Sequence, residues 1–448
     1  MKDLFKYIDL KADKDDLRHG VEDECGVLYS EDGEFLLECR NGKLERYTVK
    51  KGCKFICEKA FSSVLQEDNL KEIILPEGVV AIGAVAFVNR KKLARVALPE
   101  SLRYIGDNAF ELCKSLRSIT LPAGFRSLGT NPFADSGIKE VVCQSPDFRF
   151  TDGCLTEGDR MVSWLSDSQR CAVPKGTRVL GAEAFPTLSV LHEILLPEGL
   201  EEIGSNAFQK RDLQKLVIPS TVKKMGDNPF AYHCSIRTLE VRTPHFSLRD
   251  GFLVSDKGVL VACMGTGPVA LVPDGVREIG AGAFYGNGYV RKVVLPSSLE
   301  TIGHDAFADC PRLTSVYIPE GVRKIGEGAF SFCQALHEVT LPGGLTLVED
   351  RVFQNTGIRE ITVPEGVRHI GKAAFCLSQL ETVRLPESVE SIGDDAFGAC
   401  PVREVVFPSV DYRLKFRAFP RIMADLLDQC DGLNLEQRWT IRRNAEHI

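Results

Sequence analysis

Aspartate, cysteine and histidine recur along this chain in patterns that could do chemistry. Five aspartates stand shortly before an Ala-Phe or Pro-Phe pair, namely Asp107, Asp227, Asp305, Asp394 and Asp395. A column of carboxylates would suit calcium, which prefers several oxygen ligands. Corresponding positions hold Glu183, Ser205 and Lys372, so the column is interrupted. We therefore interpret the aspartates as caps of the turns that follow them.

The cysteines form a second pattern. Four of the fifteen lie three residues after a phenylalanine in the same local context: Cys113, Cys310, Cys333 and Cys400. This column predicts buried thiols, because a free cysteine behaves as a small apolar residue. Disulfides or a metal are the alternative. The pair Cys53 and Cys57 lacks the second pair of ligands that a zinc site needs, so we expect no metal.

Histidines and glycines give weaker signals. Gly280-Ala281-Gly282 resembles a nucleotide-binding glycine pattern, but it lacks the strand-turn-helix context that such a site requires. His192 and His337 occupy matching Leu-His-Glu positions in distant parts of the chain. No Ser/His/Asp, Cys/His or HExxH arrangement is visible. The sequence therefore predicts no catalytic residues and no cofactor, with an enzyme site among hairpin loops kept as an alternative.

All these residues belong to one repeated phrase, which is clearest as LTSVYIPEGVRKIGEGAFSFC at 313–333. Its consensus is Leu-x-x-Ile/Val-x-Leu/Ile-Pro, then Val/Leu-x-x-Ile-Gly, then x-x-Ala-Phe. The prolines recur every 22 or 23 residues within each run. A fixed period in this range predicts a solenoid, in which each coil buries its apolar face against its neighbours.

The phrase also predicts the elements of each coil. Alternation in the segment 315–318 predicts a strand with Val316 inward and Tyr317 outward, ended by the proline that follows. We expect Gly326 to make a turn because glycine tolerates positive φ. Ala329-Phe330 should then open a short helical or irregular turn that fills the interior.

The phrase resembles the BspA-type leucine-rich repeat over about residues 55–419. It differs from the common leucine-rich repeat in having proline where an Asn or Cys ladder follows the strand. The resemblance implies an α/β repeat solenoid, a right-handed coil with a parallel β-sheet and short helical or irregular turns. Members of this bacterial family are mostly interaction or surface proteins with no activity of their own.

Three segments interrupt the period, at 25–49, 148–174 and 246–273, and each contains a glycine shortly before an apolar run, at position 26, 153 or 251. Turns that combine aspartate and glycine, at 31–33, 157–159 and 256–258, separate two apolar runs and predict a β-hairpin in each segment. We therefore expect an N-terminal cap at 1–21 and a solenoid at 22–419. The solenoid divides into three blocks, each opened by a hairpin coil, at 22–146, 147–245 and 246–419.

The two ends of the chain read as caps for the open solenoid. Leu4, Phe5 and Ile8 would share one face of a short N-terminal helix. Residues 420–448 predict a helical C-terminal cap, with a docking tail around Trp439 as the alternative.

Composition limits the partners. The formal net charge of −7 argues against nucleic acid as a partner, because proteins that bind nucleic acid carry a basic surface patch. No apolar run is long enough to span a membrane. The polar start favours a cytoplasmic location, or the cell surface if a leader has been removed. We expect a monomeric scaffold that binds another protein. An adhesin or carbohydrate-binding protein is the alternative.

The outward strand positions indicate where a partner would bind. In the last block, one strip of the sheet combines an aromatic residue, an arginine and flanking charges, as interface hot spots often do. The predicted ligand-binding residues are Lys292, Tyr317, Glu338, Thr340, Thr362 and Arg384. Ordinary solvated strand residues are the competing interpretation, because β-branched residues suit strands anywhere.

Overall fold

The computed structural model describes residues 10–62, 68–185, 187, 191–209, 212–231 and 235–406. It confirms the predicted solenoid with parallel sheets. In the described part the only α-helix is Lys14–His19, which buries none of its residues. The turns that carry the Ala-Phe pairs are irregular, so strands and turns make up nearly all of the fold.

Each ordinary coil contributes two short strands. The front strand lies just ahead of the repeat proline, and the rear strand lies just ahead of the Ile-Gly glycine. In the central phrase these are Ser315–Tyr317 and Lys324–Ile325. Front strands pair in parallel with front strands of neighbouring coils, and rear strands pair with rear strands. The stacked front strands form the front sheets, whose outward side is here called the front face.

The described residues form two compact units. The first unit reaches Gly226 and includes Ser235–Thr243, while the second contains residues 227–231 and 244–406. The front strands of the first unit are Arg46–Thr48, Glu72–Ile74, Arg95–Ala97, Ser118–Leu121, Glu140–Cys143, Arg170–Ala172, Glu193–Leu195, Asp212–Ile218 and Ser235–Val241. Its hairpin and rear strands are Val21–Glu22, Val27–Tyr29, Phe35–Cys39, Phe55–Ile56, Ala81–Ile82, Tyr104–Ile105, Ser127–Leu128, Phe148–Thr151, Cys154–Glu157, Arg160–Trp164, Val179–Leu180, Glu202–Ile203 and Lys224–Met225.

The second unit repeats this plan. Its front strands are Val269–Leu271, Lys292–Val294, Ser315–Tyr317, Glu338–Thr340, Glu360–Thr362, Thr382–Arg384 and Glu404–Val406. Its hairpin and rear strands are Phe246–Arg249, Phe252–Ser255, Val259–Cys263, Glu278–Ile279, Thr301–Ile302, Lys324–Ile325, Leu347–Val348, His369–Ile370 and Ser391–Ile392.

The three predicted hairpins are confirmed. In the second unit, for example, Phe246–Arg249 and Phe252–Ser255 pair antiparallel, and so do Phe252–Ser255 and Val259–Cys263. Val259–Cys263 then pairs in parallel with a rear strand, so the hairpin stacks as an extra coil. The division into three blocks stays a prediction. Residues 1–9, which carry Leu4, Phe5 and Ile8, and the predicted C-terminal cap lie outside the described residues.

Stacked phenylalanines run through the core of each unit. The rings of Phe307 and Phe330 lie 5.1 Å apart with an interplanar angle of 3°, and Phe353 continues the stack at 5.5 Å. These side chains are fully buried. Stacked aromatic pairs add about 0.5 to 1.5 kcal/mol beyond the burial of their area. The Ala-Phe pair therefore supplies the contact that joins one coil to the next.

The prediction that Gly326 makes a turn through a positive φ is wrong. The left-handed φ falls two residues later, on Gly328 at 63°, while Gly326 itself is not left-handed. A Cβ on Gly326 would lie 2.5 Å from the main-chain nitrogen of His304 and 2.7 Å from the carbonyl carbon of Gly303. Glycine is needed here because the backbones of adjacent coils approach too closely for any side chain.

Two asparagines accommodate the hairpin coils. Asn131 and Asn228 each open an Asn-Pro-Phe sequence in place of the usual Ala-Phe pair. The side-chain amide of Asn131 donates to the carbonyl of Glu183 at 2.6 Å, and that of Asn228 donates to the carbonyl of Gly282 at 2.5 Å. Each bond connects residues more than fifty positions apart, across an intervening hairpin. The motif, which occurs twice in the chain, is a sequence signal that our interpretation missed.

Candidate functional site

The structure brings the predicted strip together on the front face of the second unit. Val294 is paired in register with Tyr317, and Tyr317 with Thr340. The neighbouring outward row runs from Lys292 through Ser315 to Glu338. Tyr317 is strongly exposed, with 65% of its surface accessible. Adjacent coils thus display these side chains side by side, while their role in binding stays a prediction.

The strip crosses two hydrogen-bonded sheets. Thr340 lies on the last strand of a four-stranded sheet, and Thr362 lies on the first strand of the next sheet. Thr362 is paired with Arg384. Within this second sheet the two neighbours are close, but no strand pairing joins Thr340 to Thr362 in the described residues. The strip therefore has two segments, one around Tyr317 and one around Arg384.

The charges of the second segment are paired. The Arg384 guanidinium donates two hydrogen bonds to Oε1 of Glu360, from Nη2 at 2.8 Å and from Nε at 3.0 Å. Both side chains are largely exposed, so the pair stabilises the fold by no more than about 1 kcal/mol. Its main effect is to hold the Arg384 side chain across two strands. Glu338 lies 3.9 Å from Nε2 of His337.

Two residues of this face were missed from the sequence. The strand Val269–Leu271 pairs with Lys292–Val294 and extends both outward rows by one coil. Val269 and Leu271 are 53% and 63% exposed. The hairpin coil that carries them departs from the repeat phrase, so the phrase does not identify them as outward residues. The signal was Pro273, which follows Leu271 by two residues as the repeat proline follows Tyr317.

The first unit has a front-face cavity of its own. It has a volume of about 640 Å³, and residues such as Leu195 and Val217 line it together with charged side chains. Arg170 lies 3.3 Å from Glu193, and the ammonium of Lys215 lies 3.4 Å from Glu240. These lining cations are already neutralised by partners on the same face. The cavity therefore offers an apolar floor without a cation free for a ligand.

The cysteine column is buried as predicted. Cys113, Cys310, Cys333 and Cys400 are buried free thiols. Burial raises the pKa of the Cys113 thiol to about 12 and raises that of Cys310 well above its ordinary value. A thiol that stays protonated is a poor nucleophile and metal ligand. These four residues are structural.

Two of the candidate aspartates and both candidate histidines have structural explanations. Asp305 and Asp395 adopt left-handed backbone with φ near 50°, a conformation in which aspartate is enriched. Nδ1 of His192 lies 3.1 Å from the carbonyl oxygen of Asp212, and Nδ1 of His337 lies 2.9 Å from that of Ala335. Among the described residues no group of three or more His, Cys, Asp or Glu side chains could hold a metal ion.

The glycine candidate belongs to a rear strand. Gly280 follows Glu278–Ile279, and a Cβ there would lie 2.8 Å from the carbonyl oxygen of Leu260. Gly282 has a left-handed φ of 61°, and its carbonyl oxygen accepts a hydrogen bond from the side-chain amide of Asn228. Close backbone stacking accounts for these glycines without a phosphate. In the part of the chain that the structure describes, no helix is long and apolar enough to cross a membrane.

One known family model matches most of the chain. The profile of the BspA type leucine rich repeat region matches in six copies, over residues 38–162, 143–237, 270–376 and 300–422. No curated protein matches the sequence.

Several solved structures are similar. A leucine rich cell surface protein from Faecalibacterium prausnitzii is 22% identical, with 88% of this chain and 95% of that chain covered and a TM-score of 0.45. The pneumococcal vaccine antigen PcpA is 18% identical, with 93% and 97% covered and a TM-score of 0.38. A leucine rich repeat protein from T. pallidum is 27% identical, with 44% and 91% covered and a TM-score of 0.35.

Proposed function

Because this chain belongs to the BspA-type leucine-rich repeat family, we propose that it is a non-catalytic scaffold that binds another protein on the front face of its second unit. The observation that carries the proposal is the exposure of Tyr317 within a row of paired front strands. Tyrosine is enriched among the residues that dominate interface energies. Tyr317 is not isolated, since Val294 beside it in the same row is also exposed, and a continuous exposed apolar group is typical of an interaction site.

The mechanism is rigid display. Parallel pairing fixes the spacing of the outward side chains, because Val294, Tyr317 and Thr340 occupy one register row. The buried phenylalanine stack beneath holds the coils together. A surface that is already ordered loses little conformational entropy on binding, which favours affinity. The bond between Arg384 and Glu360 orders the arginine in the same way.

The first experiment identifies the partner. The whole chain serves as bait in an extract of its native host, and mass spectrometry identifies the proteins it retains. Affinity of the purified partner is then measured for wild type, Tyr317→Ala, Arg384→Ala and Thr120→Ala. Thr120 is the matched control, since it is an exposed front-strand residue of the first unit.

The expected result is a loss of about 1 kcal/mol or more for Tyr317→Ala and Arg384→Ala, with Thr120→Ala unchanged. All four proteins should melt alike, because the three positions are solvent-exposed. Equal affinity of the four folded proteins would exclude this face and redirect attention to the hairpin loops. A retained polysaccharide rather than a protein would favour the adhesin alternative.

We place the protein in a reducing compartment, in line with a cytoplasmic location. Thirteen cysteines lie in the described residues, and all of them are free thiols. Disulfides form and persist mainly in oxidising compartments. Localisation of a tagged copy in the native host tests this assignment. Exclusive recovery at the outer cell surface would contradict it.

A further inference from the structure

An apolar row crosses the first strands of the proposed binding face. Leu271 is paired with Val294, and Val294 with Tyr317, so their side chains follow one another across three coils. Val269 lies beside them in the other outward row, and all four side chains are exposed. Isolated apolar residues on a surface need no explanation, but a continuous group marks an interaction site.

A cation without an acidic neighbour borders this row. Lys292 is paired in register with Val269 on one side and with Ser315 on the other. Among the described residues neither Lys292 nor the preceding Arg291, both exposed, has an ion-pair partner. Lys292 thus presents a positive charge next to apolar surface.

Most other front-strand cations are arranged differently. Besides Lys292, six arginines and lysines lie on the described front strands, and Arg237 is the one of these six without an ion pair among the described residues. The other five lie between 2.8 and 3.5 Å from a glutamate on the same face: Arg46 and Arg95 with Glu72, Arg170 with Glu193, Lys215 with Glu240, and Arg384 with Glu360. The protein itself therefore neutralises these charges. At Lys292 the matching carboxylate is missing, and a partner can supply it.

A cavity adjoins the apolar row. Its volume is about 330 Å³, and Val269, Leu271, Phe252 and Val290 are among the residues that line it. An aliphatic or aromatic side chain suits a space of this size and lining. Asp250 also lines the cavity, which disfavours a carboxylate inside it. The apolar and acidic groups of a ligand would therefore separate, the first to the cavity and the second to Lys292.

We propose that the partner is a protein segment in which an aliphatic or aromatic side chain stands next to a carboxylate side chain. The apolar side chain packs on Leu271, Val294 and Tyr317 and enters the adjoining cavity. The carboxylate pairs with Lys292, with Arg291 adding to the positive potential. Complementary charge at the edge of an apolar contact speeds association and selects among partners. This inference rests on the proposed function and specifies the ligand chemistry of the same face.

A random peptide library displayed on phage tests the ligand chemistry without a known partner. Selection uses the whole chain, and the most enriched peptide is synthesised for affinity measurements. Enriched sequences should combine a large apolar residue with a nearby Asp or Glu. Lys292→Glu should weaken binding of that peptide by about tenfold or more, and the wild-type affinity should fall with added salt. Leu271→Ser should weaken it about fivefold or more.

Thr120→Ala is the matched control, since Thr120 is an exposed front-strand residue of the first unit and lies outside the proposed binding face. Its affinity for the peptide should equal that of wild type. Enrichment of sequences without acidic residues, no enrichment at all, or equal binding by Lys292→Glu would overturn the inference. If Arg384→Ala abolishes peptide binding while Lys292→Glu and Leu271→Ser do not, the ligand chemistry is wrong but the binding face stands. If none of these substitutions matters, the proposed function fails with it.

Discussion

The thiol of Cys333 donates a hydrogen bond to the main-chain oxygen of Phe307 on the preceding coil, with Sγ and O 3.0 Å apart. The same bond links Cys113 to Phe87 at 3.2 Å and Cys400 to Phe375 at 2.9 Å. The oxygens of Phe87 and Phe375 also accept main-chain hydrogen bonds from Arg90 and Ser378, so the thiol is a second donor there. Cysteine suits this position because it is small, apolar and able to donate.

This arrangement predicts a loss of stability in alkali. Burial raises the pKa of Cys113 from 9.0 to about 12, so the folded state keeps a proton that the unfolded state releases above pH 9.0. The contribution is complete below pH 9.0 and is lost as the pH rises towards 12. Within that window the free energy of unfolding should fall by up to about 1.4 kcal/mol per pH unit for this group.

Urea unfolding of wild type and Cys113→Ala at several pH values measures the effect. The variant is less stable at neutral pH, but its stability should decline less steeply above pH 9.0. Parallel declines in the two proteins would show that Cys113 does not stay protonated in the fold.

A second prediction concerns the phenylalanine stack. Phe330 is fully buried between Phe307 and Phe353. Phe330→Ala should reduce the free energy of unfolding by about 3 to 5 kcal/mol, since it removes both burial and packing. Phe332→Ala is the control in the same coil, because Phe332 is 47% exposed. Chemical denaturation that shows less than about 1 kcal/mol for Phe330→Ala would contradict the assigned core.

A third prediction concerns the close approach of coils at Gly326. In Gly326→Ala the added methyl group would meet the backbone of His304 at 2.5 Å, so the coils must move apart. Overpacking of this kind costs about 1 to 3 kcal/mol. In Gly343→Ala the nearest atom is the flexible Glu320 carboxylate at 3.6 Å, so little change is expected. Equal melting temperatures of the two variants would refute the assigned role of Gly326.

A fourth prediction concerns the thiols as a set. Protein prepared without oxidant and then denatured should titrate close to fifteen free thiols, the number in the sequence. Mass spectrometry should test separately whether Cys154 and Cys171 are free thiols, because their Sγ atoms lie 3.8 Å apart and both residues are buried. A count well below fifteen would indicate disulfides and argue against a reducing compartment.

The repeat phrase was enough to predict the coil and its strands. Ser315–Tyr317 forms the expected front strand, with Val316 buried and Tyr317 exposed, because alternation and the terminal proline determine both. The reason that position 326 needs glycine was not predictable from one coil, because the constraint comes from the backbone of His304 in the neighbouring coil. The role of Asn228 was missed for the same reason, because its side-chain amide donates a hydrogen bond to the carbonyl of Gly282, which lies beyond a hairpin.

The proposed binding face was predicted only in part. Tyr317 and Arg384 could be placed because they lie in regular coils, where position in the phrase determines orientation. Leu271 was missed because its coil begins with a hairpin and lacks the phrase. The sequence does not identify a partner, because exposed side chains such as Lys292 are not constrained by the packing of their own chain.

Photo-crosslinking at position 317 tests whether a protein binds on the front face of the second unit. A benzophenone amino acid replaces Tyr317 in one protein and Thr120 in another, and both are irradiated in the native host or with the purified partner. We predict a covalent adduct with a single protein from position 317 and none from position 120. An adduct from position 120, or none from position 317 while the partner remains bound, would contradict binding on the front face of the second unit.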